Sequence, residues 1–388
     1  MNKKNGFLPA LITIVVSYVL LMLFMGVDNL IISGAIIVFL VGGGFFIYRK
    51  KSLLDCIVAG FRDYKGSLLI TAVVLSVLLP LFFLKNHYII HIFTLALIYV
   101  IASVGLNIQV GSANMTNFSQ GAFFGIGAYT SALMTVKLGL SFWIAFPSAV
   151  LVAGIFGFLM GLPTLKTREF HLSLVTIAFA YVAYLLILNM RWTGGADGIA
   201  GVPKPTIFGL SIFKTVRLGG LRIPWTTFYY YFTLLFVGIG IYFAWKLHNS
   251  WIALGWNAIR EDEISSKCYG LDLNKIKLSA FFIGSLYAGA AGSLYVHFVG
   301  FISTESMAFS VGLLMVCMVI LGGMDNILGV ILGTVLLIVI PEKFRAFQDF
   351  RLLFYGIILI LMLIFRPQGL IPKKVRRYSL STGGDHGK

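Results

Sequence analysis

The side chains able to carry proton, metal or phosphate chemistry are few, and their positions exclude more chemistry than they support. The fourteen Asp and Glu residues fall in loops or at the ends of apolar runs, among them Asp28, Glu169, Asp197, Glu305, Asp325 and Glu342. A carboxylate held in hydrocarbon is costly and marks a proton or ion route. None stands in the middle of an apolar run, which disfavours a proton-coupled carrier and leaves ion sites built from backbone carbonyls open. His87 and His91 flank a loop, His171 and His297 stand at the ends of apolar runs, and none has the neighbours that a metal site needs. Cys56, Cys268 and Cys317 lack paired metal spacing. A phosphate-cradling loop would read G-x-x-x-x-G-K-S/T. Lys51–Ser52, Lys166–Thr167 and Lys214–Thr215 all lack a Gly directly before the Lys. No nucleophile and base stand together either. No catalytic, metal or cofactor residue is therefore assigned, and any ATPase has to be a separate polypeptide.

Two stretches carry positive signals. In residues 250–270, Ile252, Trp256 and Ile259 follow i, i+4, i+7 spacing, so one face of a short helix is apolar. Arg260, Glu261, Asp262 and Glu263 then form a dense polar end, and Gly270 is a plausible stop. Such a helix lies on the bilayer or docks a protein; the acidic cluster disfavours an anionic leaflet and favours docking of a cytoplasmic protein. The docking candidates are Trp256, Arg260, Glu261, Asp262 and Glu263. In residues 105–127, Asn107, Gln109, Asn114, Thr116, Asn117 and Gln120 offer uncharged hydrogen-bonding groups among glycines. Irregular backbone at membrane depth survives only inside protein or beside water. This run either lines a translocation path or is an ordinary loop. The pairs Gly121/Gly125, Gly157/Gly161 and Gly329/Gly333 are small-xxx-small spacings that report close helix packing.

The elements that must position these residues are transmembrane helices. The 388 residues are 59% hydrophobic and only 11% charged, with a mean hydropathy of +0.94. Soluble domains have about 45–50% apolar and roughly 25% charged residues. Runs long enough to span occupy residues 8–25, 30–48, 67–84, 92–110, 142–162, 171–188, 228–245 and 278–296, with weaker ones at 307–321, 327–340 and 352–365. Residues 116–136 either span or begin as a broken or re-entrant helix. The expectation is an all-α polytopic membrane protein of 10–12 spans. Three regions follow: an N-terminal membrane extension over 1–88 with about three spans, a core over 89–366 and a basic tail over 367–388.

The formal charge of +16 is not a nucleic-acid signal, because the basic residues sit in short loops. With twelve crossings, Lys3 and Lys4, Arg49 to Lys51, Lys166 and Arg168, the segment 246–277 and the tail from Arg366 share one side, the cytoplasm. Both termini are then inside. The loop 191–225 falls outside despite Lys204, Lys214, Arg217 and Arg222. The first run has a basic start, but no cleavage site follows it, so an uncleaved anchor is expected. No soluble domain is evident.

Several motifs are specific in combination and stand in order: Phe123-Phe-Gly-Ile-Gly-Ala-Tyr129, Thr193-Gly-Gly-Ala-Asp-Gly-Ile-Ala-Gly-Val-Pro203, Ala258-Ile-Arg-Glu-Asp-Glu-Ile264 and Gly300-Phe-Ile-Ser303, then Leu321-Gly-Gly323. With them the chain resembles the branched-chain amino acid permease family of bacterial ABC importers, in its LivM type, over roughly residues 91–368. The resemblance implies a type II-like importer permease fold in the bacterial inner membrane. It implies a second permease subunit completing the path, two cytoplasmic ATPases holding ATP and Mg, and an extracytoplasmic binding protein delivering Leu, Ile or Val. On that pattern Arg260 to Glu263 transmit the ATPase movement. The loop at Thr193, Gly194, Gly195, Asp197 and Gly198 meets the binding protein. Urea permeases look similar at the same signatures, so a urea, amide or other amino acid importer is the alternative, followed by a self-sufficient carrier or channel. The sequence departs from the family pattern at Asn117, where Ser is common, at Ser119, where Gly is expected, and at Met324–Asp325, which replace an apolar–Gly pair.

Overall fold

Hydrocarbon offers a chain no hydrogen-bond partners, so a crossing segment closes its own backbone ladder as a helix. The computed structural model of the chain follows that rule. It describes residues 7–26, 65–83, 86–165, 169–206, 216–218, 221–343, 353, 356–357, 360, 364 and 368–371. The span expected at 30–48, Cys56, the basic residues from Arg49 to Arg62, Lys166 to Arg168, most of 352–365 and the basic tail lie outside the described residues.

The helices are α1 (Phe7–Gly26), α2 (Lys65–Phe82), α3 (His87–Asn107), α4 (Gln120–Val136), α5 (Phe142–Thr164), α6 (Glu169–Asn189) and α7 (Trp225–His248). After them come α8 (Trp251–Glu261), α9 (Glu263–Cys268), α10 (Leu273–Val299), α11 (Phe309–Gly322) and α12 (Ile327–Lys343). Among the described residues, five stretches are long and apolar enough to cross a membrane: His87–Ser112, Phe142–Thr164, His171–Asn189, Trp225–His248 and Leu273–Val299. Each coincides with a run expected to span. Two two-stranded pairs interrupt the helices: β1 (Ile199–Ala200) with β4 (Phe301–Ile302), and β2 (Val216–Leu218) with β3 (Leu221–Ile223), both antiparallel.

The chain forms two compact units. One comprises residues 1–98, 204–237 and 336–351; the other comprises 99–203, 238–335 and 352–388. In the first, Pro80 interrupts the ladder of α2, because it lacks an N–H and crowds the carbonyl four residues earlier. That carbonyl belongs to Ser76 and accepts the Tyr230 hydroxyl at 2.8 Å, while Tyr231 and Tyr18 donate to the neighbouring carbonyls of Val77 and Leu75. Three phenols thus cover the helix where proline loosens it.

The second unit is organised around α10. Its 27 residues reach about 40 Å at 1.5 Å per residue, ample for a 30 Å hydrocarbon core. Asp272 caps its start, accepting the Lys275 backbone N–H at 3.3 Å and pairing with the Lys275 ammonium at 3.2 Å. Those two bonds hold the Asp272 carboxyl below the usual carboxylate range. Small residues let α4 and α5 lie directly on α10. A Cβ at Gly127 would sit 2.5 Å from the Gly289 Cα, and one at Gly292 would strike the Phe124 carbonyl and come within 2.9 Å of the Ala128 nitrogen. The expected glycine pairs serve the same purpose: Gly121 lies against Gly312, Gly125 against Met307, Gly157 and Gly161 against α10, and Gly329 and Gly333 against α11. Backbone-to-backbone approach supplies dispersion and excludes lipid, since the hydrophobic effect does little between helices in hydrocarbon.

Gly292→Ile should therefore lower the thermal unfolding midpoint of the detergent-purified protein, because overpacking a tight contact costs about 1–3 kcal/mol. Gly238→Ile, at a position with no neighbour within 4 Å, should leave that midpoint unchanged.

Candidate coupling and translocation site

The polar run forms a break in the helical ladder. After Asn107, α3 widens into a π turn over Ile108–Ser112, with the Ala113 N–H bonded to the Ile108 carbonyl at 3.2 Å. Wide turns of this kind recur at functional sites. Residues 113–119 are then irregular, with Asn114 in the left-handed region at φ 54°, and helix resumes only at Gln120. Residues 116–136 therefore form the broken alternative rather than one continuous span.

Four of the six path candidates satisfy that break from within. Asn107, Gln109, Asn117 and Gln120 are all buried. Gln109 donates to the Phe281 carbonyl at 3.2 Å and accepts from the Asn117 amide at 2.5 Å. Gln120 donates to the carbonyls of Ala102 at 3.0 Å and Gly284 at 3.2 Å, bridging α3 and α10 across the start of α4. Gly284 leaves the space that the Gln109 amide fills. Asn114 and Thr116 are instead exposed, and the Thr116 hydroxyl lies 2.7 Å from that of Ser173.

Two of the departures from the family pattern, Asn117 and Ser119, meet here. The Asn117 carbonyl oxygen accepts both the Ser119 backbone N–H at 2.8 Å and the Ser119 hydroxyl at 2.5 Å. A larger amide at 117 and a hydroxyl at 119 thus form one local turn of the Asx type.

The docking candidates divide by direction. Trp256 is buried, and its indole N–H donates to the Ile276 carbonyl at 3.1 Å and the Ser279 hydroxyl at 3.0 Å. Ala253, Gly255, Trp256 and Ile259 form the buried face, whereas Ile252 is 44% exposed, which corrects the expected face by one residue at its start. The reason is α10, whose Ile276 fills the room left by Gly255. Asp262 breaks α8 from α9 in an extended conformation and accepts the backbone N–H groups of Ile264 and Ser265 at 2.8 and 3.1 Å. Glu263 pairs with Lys277 of α10 at 2.6 Å. Glu261, Asp262, Ile264 and Tyr269 are exposed. Arg260 turns inward, its guanidinium donating to the Gly111 carbonyl at 2.6 Å within the π turn.

Three residues at this place were missed from sequence. Asp325, in the loop between α11 and α12, has a side chain only 1% exposed. Its carboxylate lies 3.5 Å from Arg260 and 3.7 Å from His248 Nδ1, and it accepts the Ser112 hydroxyl at 2.6 Å. The Asp325 backbone N–H donates to Asn107 Oδ1 at 2.8 Å. Asp325 is indeed in a loop, as expected, but the loop is folded inward. The available signal was its departure from an apolar–Gly pair. Nothing marked Ser112 or His248.

At the other end of α10 the loop candidates build a rigid turn. Thr193 is buried and donates to the carbonyls of Ile187 and Met190, both at 2.8 Å. Gly194, Gly195 and Gly198 are left-handed, and a side chain at Gly198 would strike the Ile302 carbonyl where β1 meets β4. Only glycine combines that backbone with that contact. Asp197 is exposed. Buried His297, at a helix end as expected, holds the end of this loop, its Nδ1 2.6 Å from the Pro203 carbonyl and its Nε2 2.9 Å from the Ser131 hydroxyl. The carbonyl can only accept, so Nδ1 carries the proton and Nε2 accepts from Ser131.

Among the described residues no three His, Cys, Asp or Glu side chains gather as a metal site. What the arrangement offers is a braced helix break, a surface helix tied to it and a braced loop at the far end of α10. These are the parts of a multi-pass helical transport protein. The family of branched-chain amino acid transport system permease components matches residues 88–365. The chain is 37% identical over 337 residues to the Escherichia coli K12 high-affinity branched-chain amino acid transport system permease protein LivM, covering 82% of this chain and 78% of that one. It is 26% identical over 330 residues to a probable LivM permease of Methanocaldococcus jannaschii, covering 71% and 91%. A probable LivH permease of the same organism is 22% identical over 234 residues, covering 60% and 73%. No solved structure matches. The chain belongs to the branched-chain amino acid transport permease family, as a LivM-type member.

Asn117→Ala should lower the unfolding midpoint, since it strands the buried amide of Gln109 and the Ser119 hydroxyl at about 1–3 kcal/mol for each unmet group. The pair Asn117→Ser with Ser119→Gly, which adopts the family pattern, should cost less than Asn117→Ala alone.

Proposed function

We propose that the chain is the transmembrane permease subunit of an ATP-driven importer of Leu, Ile or Val, forming the translocation path with a second permease subunit. The observation that carries the substrate class is the 37% identity to a permease named for branched-chain amino acid transport, over 82% of this chain. The match to both LivM and LivH permeases supports a paired assembly. The family match beginning at residue 88 supports a core starting near residue 89, with residues 1–88 as an extension.

The geometry supports an external motor. The buried face of α8 packs on α10; Glu261, Asp262, Ile264 and Tyr269 are exposed around the α8–α9 junction and the end of α9, as are Lys267 and, at the start of α8, Trp251 and Ile252. An acidic edge beside two apolar side chains suits a basic, partly apolar groove on a cytoplasmic ATPase. ATP and Mg belong to two such ATPases, and the conduit chain itself is no enzyme. The braced loop at Thr193 to Gly198 presents Asp197 to an extracytoplasmic binding protein. On this reading the chain lies in the bacterial inner membrane with both termini inside.

In cells that depend on this importer, uptake of labelled Leu should be competed by Ile and Val and not by urea or acetamide. Competition by urea in place of Ile and Val would overturn the substrate class. Glu261→Lys should reduce uptake by about tenfold or more, because like charges facing across an interface cost several kcal/mol. Permease abundance in the membrane should stay constant.

A further inference from the structure

The ion cluster at the end of α8 is placed to do more than hold the fold. Arg260 leaves the last turn of α8 and touches two structures at once, the Gly111 carbonyl in the π turn and the Asp325 carboxylate. Asp325 in turn grips both ends of that turn: its carboxylate accepts from Ser112 and its backbone N–H donates to Asn107. Gly111 admits the contact, since a Cβ there would lie 2.9 Å from the Asp325 Cα. Two residues before Gly111 stands Gln109, bonded to Asn117 and to the Phe281 carbonyl. A displacement of α8 therefore reaches the helix break through polar contacts and the backbone of the π turn.

The backbone argues that the carboxylate has a purpose. Asp325 sits at φ +64°, a left-handed conformation that crowds a Cβ against the backbone and that glycine adopts freely. A buried ion pair is weak evidence for stability and is better attested as a device that fixes one arrangement over another. A side chain that burdens its own backbone and adds little to stability fits a switching role.

We propose that Asp325 is the positioning residue through which movement of the α8–α9 segment reaches the break in α3, with Arg260 as its partner on the helix and Ser112 and Asn107 as its partners at the break. The proposal rests on the reading that α8–α9 faces an ATPase.

Asp325→Gly tests it with the least disturbance, because glycine suits the backbone and Arg260, 23% exposed, can turn to water. The full complex, with both permeases, the ATPases and the binding protein, is reconstituted in proteoliposomes, and ATP hydrolysed per amino acid imported is measured. Asp325→Gly should raise that ratio by about tenfold, a typical coupling between sites. Asp325→Asn, which still accepts from Ser112, should raise it less. Arg260→Gln with Asp325→Gly should be no worse than the worse single variant, as expected for partners acting in one series.

A wild-type ratio in Asp325→Gly overturns the proposal. So does an uptake loss that only follows a loss of assembled complex, since that is a purely structural role. In parallel, Ile264→Cys in a Cys56→Ser, Cys268→Ser background carries a photocrosslinker. Crosslinking to the ATPase with an unchanged ratio refutes Asp325 alone. No crosslink removes the ATPase-facing reading, and the proposal with it.

Discussion

A helix can be broken inside a membrane protein only where protein groups take over the hydrogen bonds that the break releases. The π turn at Ile108–Ser112 and the irregular stretch after it impose that condition on everything nearby. Gln109, Asn117, Ser119 and Gln120 meet it with amides and one hydroxyl, directed at each other and at carbonyls of α3 and α10. Uncharged groups suffice, so the chain avoids the cost of a carboxylate deep in hydrocarbon. Charge enters only at the α8 end of the break, where Arg260 and Asp325 neutralise one another.

Helix α10 makes these distant parts one object. Its first turns carry Lys277 and Ser279, which hold Glu263 and Trp256 of the surface segment. Its middle supplies the carbonyls of Phe281 and Gly284 to the break, and its glycines admit α4 and α5. Its last turns carry His297, which fixes the loop ending at Pro203, and Ser293, which donates to Ser131 of α4. One long helix thus ties a surface helix at one end, the helix break in the middle and a braced loop at the other end.

Much of the architecture was legible because hydrophobic length alone dictates spans. The runs at 142–162 and 171–188 agree with α5 and α6 to within two residues at each end. Residues 116–136 left two alternatives, because periodicity does not show where Asn117 and Ser119 close a turn before a helix begins. Trp256 and Arg260 were visible as unusual residues, but their inward direction was not, since it depends on Ile276 and Gly111 from remote parts of the chain. Asp325 stood in plain sight as a loop acid, and only the folding of that loop onto Ser112 and Arg260 shows that it is buried. His297 was legible as a structural histidine at a helix end, but its partners Pro203 and Ser131 come from remote parts of the chain.

We propose that this chain is a conduit without a motor of its own. It is tested most directly by measuring Leu accumulation in proteoliposomes that contain the two permease subunits with and without their ATPases. Accumulation against a gradient is expected only with the ATPases, ATP and Mg all present. Accumulation by the permeases alone, driven by a proton or sodium gradient, would contradict it.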